Sequence, residues 1–140
     1  AGARYESDQE STYNALNRLV TRILLDPASL SDADALGSHP TLEPVDVTES
    51  LAELQAKLIR NRDSGVDDFW VIGDLALTAS LNGDVEVGGE ALAQFHALSP
   101  PPTAYAKYGD TFALLEALDT PRKEALSTAR RWFEPNAPRG

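Results

Sequence analysis

Apolar residues along this chain recur three and four positions apart in segment after segment, and no run of alternating β-branched residues interrupts that rhythm. Such spacing puts side chains on one face of an α-helix, because 3.6 residues complete a turn. In the first segment, residues 7–25, the stripe is Tyr13, Leu16, Leu19, Val20, Ile23 and Leu24. Ser7 with Glu10 reads as a capping box, in which each side chain satisfies a backbone amide of the other. Asp26-Pro27 ends the segment, since a residue before proline is pushed out of the helical region.

Residues 26–45 read as a Pro-rich connection. Ser31 caps a single turn through Ala33, Ala35 and Leu36, after which Gly37, Pro40 and Pro44 prevent continuation. A connection of this length inside one domain is either a linker or a loop lying over part of a groove. A second helix is predicted over 47–62, with Asp46 and Glu49 as its capping box and Leu51, Leu54, Leu58 and Ile59 as its buried stripe. Gly65 suits the left-handed stop that follows.

A third helix is predicted over 69–81, capped by Asp67 or Asp68. It is apolar nearly all round, which makes it the central element. A strand over 69–72 is the alternative, but the apolar run continues past Asp74 at helical spacing and favours the helix. Gly83-Asp84 turns the chain into a fourth helix, 85–98, lined by Val87, Ala91, Leu92, Phe95 and Leu98 and ended by Pro100-Pro101-Pro102. Within it Gly88-Gly89 is costly for a helix, so both glycines are expected to allow close packing against the third. The fifth helix, 103–118, carries Tyr105, Tyr108, Phe112, Leu115 and Leu118. Thr120 and Pro121 open a sixth as cap and first helical residue, with Ala125, Leu126, Ala129, Trp132 and Phe133 inward, Pro135 as its stop and 136–140 as a frayed tail. The prediction is a single all-α domain over 1–140.

Composition narrows the classes of function. The 140 residues carry 12 basic and 22 acidic side chains, a net charge of −10, which repels phosphate backbones and anionic lipid surfaces. No nucleic-acid or membrane partner is therefore expected. The acidity is uneven: residues 1–50 set nine acids against Arg4, Arg18 and Arg22, whereas the part from Val85 onward is nearly neutral. With no Cys, disulfides, thiolate metal sites and cysteine nucleophiles are excluded. No secretory leader or membrane-length apolar run is visible, which points to the cytoplasm, and the lack of Met even at position 1 points to a piece of a longer protein.

A search for chemistry returns little. His39 sits in the Pro-bounded connection and His96 in the fourth helix, and neither reads as part of a helical metal site. Asp63, Asp67 and Asp68 lack the loop spacing of a calcium hand and read as acids favouring the positive end of the third helix. No serine sits in a nucleophile elbow, and Gly88-Gly89 lacks the strand and Lys of a phosphate loop. No catalytic residue, metal or cofactor is expected.

An internal period is present. Asp84 is followed by Pro100 and Asp119 by Pro135, both at an interval of 16, with an offset of 35 between the units. Together with Leu75, Ala76, Gly83, Leu92, Leu114 and Leu118, this pattern resembles the tetratricopeptide repeat family, whose units are antiparallel helix pairs of about 34 residues. The resemblance covers 46–135. Gly88 and Lys123 depart from it where the family packs a small Ala, and Trp70 comes about two residues early for the family's aromatic. It implies helical hairpins stacked as a short right-handed array with an extra amino-terminal helix, and a binding surface in place of a reactive centre. The residues it turns toward a protein or peptide partner are Trp70, Leu77, Ser80, Tyr105, Tyr108 and Phe112.

The expected function is a non-catalytic protein–protein interaction module within a larger protein. A small acidic inhibitor or immunity protein is the alternative, covering a basic site with Asp32, Asp34 and Glu43. A helical enzyme or small-ligand pocket built around Trp70, Tyr105 and Tyr108 is a third reading.

Overall fold

A helix that is apolar on every side must be enclosed, and the architecture is organised around one. The computed structural model describes residues 2–30, 47–65, 68–118 and 120–133, and among these there are six α-helices and no strand. They are α1 (Gly2–Leu25), α2 (Val47–Asp63), α3 (Phe69–Leu81), α4 (Val85–Ala97), α5 (Pro102–Glu116) and α6 (Lys123–Arg130), with short 3₁₀ turns at Pro27–Leu30 and Arg131–Phe133. Every residue of α3 from Val71 to Leu81 is buried. α3 touches all five other helices, most extensively α4 and α2, and α1 also reaches α5. Ile23, Leu58, Leu75, Phe95, Phe112 and Leu126, one from each helix, are all fully buried. The all-α prediction holds.

α3 and α4 fold back on each other across the short turn between Leu81 and Val85, and α5 packs along α6. Asp84 caps α4, its carboxylate accepting from the Val87 amide at 3.1 Å, and Asp68 caps α3 by accepting from the Trp70 amide at 2.8 Å. The α3–α4 turn gathers its neighbours by hydrogen bonds. Asn82 Nδ2 donates to the Leu51 carbonyl at 3.1 Å and to Gln55 Oε1 at 2.7 Å, and Gln55 Nε2 donates to Asp84 Oδ2 at 2.9 Å. Arg122 Nε reaches the Leu81 carbonyl at 3.0 Å from the start of the last hairpin. These bonds place the far end of α3 beside the first half of α2, which fixes α2 and α3 as antiparallel. On α5 and α6, Glu116 and Arg130 form an ion pair.

Several local expectations need correction. α1 starts at Gly2, so Ser7 lies inside the helix and does not cap it. α6 begins at Lys123 and not at Pro121: Thr120 Oγ1 accepts from the Arg122 amide at 3.2 Å, closing a turn that precedes the helix and delays it. α4 ends at Ala97, and α5 runs over Pro102–Glu116, opening on the proline run and stopping before Leu118. Gly65 is left-handed, φ +100°, as the stop of α2 requires. The turn expected at 31–36, His39, the Asp46 and Asp67 caps, the repeat residue Asp119, the closing Pro135 and the tail lie outside the described residues, as does the Tyr13 side chain.

The two glycines of α4 differ. A Cβ on Gly88 would sit 3.4 Å from Ser80 Oγ and 3.8 Å from Ala79 Cβ, so Gly88 is the close approach to α3. A Cβ on Gly89 would meet nothing within 4 Å, so packing does not account for it. Gly89→Ala is therefore expected to stabilise the fold by up to about 1 kcal/mol, the helix preference of Ala over Gly. Chemical denaturation reads this directly, and a lowered midpoint would contradict the open surroundings of Gly89.

Candidate partner-binding site

Helical periodicity identifies a face without saying what covers it, and the six residues turned toward a partner by the repeat resemblance meet different fates. Leu77, Ser80, Tyr108 and Phe112 are buried by the chain's own helices, at 3% exposure or less. Ser80 Oγ spends its hydrogen on the Ala76 carbonyl at 2.8 Å. These four lie in the core. Trp70 and Tyr105 are only partly covered.

Trp70 belongs to a buried polar cluster. Tyr108 donates its hydroxyl to Asp74 Oδ1 at 2.6 Å and lies 3.1 Å from the Trp70 carbonyl oxygen, while the Lys107 ammonium stands 4.9 Å from the Trp70 ring centroid and 5.4 Å from that of Tyr108. Burial pushes the Asp74 carboxyl up from 3.8 to about 6; the Tyr108 hydrogen bond and the Lys107 charge lower it, and Asp68 raises it. A carboxyl of that kind in a cleft would be a candidate acid or base. Asp74 is 6% exposed, and its bond to Tyr108 ties α3 to α5. Sequence spacing gave no sign of the pair, because its members stand 34 positions apart.

Tyr105 belongs to a second cluster. Its hydroxyl shares a hydrogen bond of 2.7 Å with His96 Nδ1, the His96 ring stacks on Trp132 at 5.4 Å, and Phe95 meets Tyr105 edge-on at 5.5 Å. Beside it an open depression of about 390 Å³ runs between α5 and the Arg131–Phe133 turn, floored by Ala106, Gly109 and Ala113. Arg130 on its edge is already paired with Glu116.

A second groove, of about 750 Å³, lies between α1 and α2. Each helix offers it a face at the same spacing: Ala15, Arg18, Leu19 and Arg22 from α1, and Ser50, Glu53, Leu54 and Lys57 from α2. Leu25 lies at one end and keeps 57% of its surface exposed. From Ala15 to Leu25 the groove follows about 15 Å of helix, nearly three turns. Leu19 and Leu54 are core residues, as their stripes predict, and both also line the groove. The only prior signal was Leu24-Leu25, where the apolar run of α1 outlasts the face it needs for the core.

Among the described residues, no three metal-ligating side chains come together and no helix is long and apolar enough to cross a membrane. No protein-family model matches this chain, and neither a curated protein nor a solved structure matches it.

Proposed function

We propose that this chain is a protein–protein interaction module that takes a partner helix or peptide in the groove between α1 and α2. The observation that carries this reading is the groove itself: open to solvent, with Ala15, Leu19 and Leu54 in its lining and the exposed Leu25 at one end. An amphipathic helix laying its apolar face into a cleft between two helices is a recurring mode of recognition, read as anchors at i, i+3, i+4 and i+7. Kinship with tetratricopeptide repeats is part of the proposal, supported by the α3–α4 and α5–α6 hairpins and the Asp84 turn. Recognition by Tyr105 and Tyr108 together is not, since Tyr108 is a core residue whose removal would test folding and not binding.

Leu25→Asp provides the test. Its side chain is more than half exposed, so the variant should unfold within about 1 °C of the parent, in keeping with the small effect of surface changes. Binding of a leucine-striped helical peptide, followed by fluorescence anisotropy, should fall at least about tenfold, because a carboxylate would be buried against the ligand's apolar face. Unchanged binding by Leu25→Asp would remove the groove from the account.

A further inference from the structure

Resting on the docking reading above, we infer that the α1–α2 groove is specific for an acidic amphipathic helix of a partner protein, about ten residues long, with carboxylates flanking its apolar stripe. The chain as a whole carries −10, so any acidic ligand is repelled by most of its surface. The walls of this groove reverse that sign. Arg18 stands exposed on α1 and Lys57 half-exposed on α2, against one carboxylate among the described lining residues, Glu53. Arg18 and Arg22 sit one turn apart on either side of Leu19, and Lys57 follows Leu54 by three residues. Arg18 and Lys57 thus place a cation on each wall of the groove, which is the complement of a helix whose leucines are bordered by Glu or Asp.

Physical reasoning favours selectivity over raw strength. Rim charges contribute modestly to affinity because water screens them, yet they set encounter rate and exclude partners of the wrong sign. The acidic remainder of the surface adds to the discrimination: an acidic helix is unfavourable everywhere else, so the cationic groove also fixes where it lands. A basic helix with the same leucines would be drawn to the rest of the protein and repelled here. The length follows from the groove, since about 15 Å accommodates ten residues of helix.

The experiment uses the whole chain and three synthetic helical peptides that share one leucine stripe and differ only in flanking residues: Glu, Gln or Lys. Anisotropy titrations at low salt should rank them Glu, then Gln, then Lys, with about tenfold between the first two, and the spread should shrink as salt shortens the Debye length from about 30 Å at 0.01 M to about 8 Å at 0.15 M. The double variant Arg18→Glu with Lys57→Glu should invert the ranking; because the peptide series alone already varies the charge, a poorly folded double variant leaves the ranking readable. Three peptides bound equally well, with all binding lost in Leu25→Asp, would overturn the charge inference and leave the docking reading standing. If none of the three bound, the docking reading would itself fall.

Discussion

Gly73→Ala should destabilise this protein by about 2 kcal/mol or more, lowering the unfolding midpoint by roughly 5–10 °C, although Ala is the better helix former by about 1 kcal/mol. A Cβ at that position would lie 2.4 Å from Tyr108 Cε2 and 2.5 Å from Cζ, far inside van der Waals contact. The ring cannot step aside at low cost. It is 1% exposed, its hydroxyl is held by Asp74 Oδ1 at 2.6 Å, and Phe95 packs edge-on against it at 5.4 Å. The close approach of α5 to α3 therefore depends on a residue without a side chain. Thermal unfolding of the variant at neutral pH provides the check, and a midpoint equal to or above the parent's would show that the helices do not meet as described.

Asp74→Asn should act in the opposite direction near neutral pH. Folded Asp74 keeps its proton up to about pH 6, whereas an unfolded carboxyl releases it near 3.8, so between those values the folded state binds the extra proton. Its contribution to stability is full below pH 3.8 and is lost as pH rises through 6. The interval amounts to about 3 kcal/mol at 1.36 kcal/mol per pH unit, taken as an upper bound. Asn carries no charge to desolvate, and its side-chain oxygen still accepts from Tyr108. The variant should be about 1–3 kcal/mol more stable than the parent at pH 7.5, and its stability curve should lack the decline between pH 4 and 6. Urea unfolding at a series of pH values measures both. A variant that loses stability at pH 7.5 would mean that the carboxylate is stabilising where it sits.

How far the sequence foretold this molecule depends on whether the deciding interaction was local. The bounds of α3 were readable because Asp68 supplies its cap from the adjacent position and its apolar run has no polar face to misplace. Turns were readable for the same reason at Asp84 and Gly65. The start of α6 was not, since Thr120 has two local uses for its hydroxyl, and the hydrogen bond to the Arg122 amide closes a turn ahead of the helix. The candidate binding residues depend on a different level of structure. Leu77, Tyr108 and Phe112 have the spacing of an inner face, and only the third dimension shows that α1, α4 and α5 close over that face. The groove between α1 and α2 depends on how far two helices separate, a distance that no stripe of leucines encodes.

Hydrogen–deuterium exchange of the whole chain, with and without the Glu-flanked peptide, tests the central claim most directly. Occupancy of the groove should slow exchange over residues 15–25 of α1 and 50–57 of α2 and leave α5 and α6 unchanged. Protection that falls instead around Tyr105, Gly109 and Phe133, with α1 and α2 unaffected, would place the binding surface on the other end of the molecule and contradict the account.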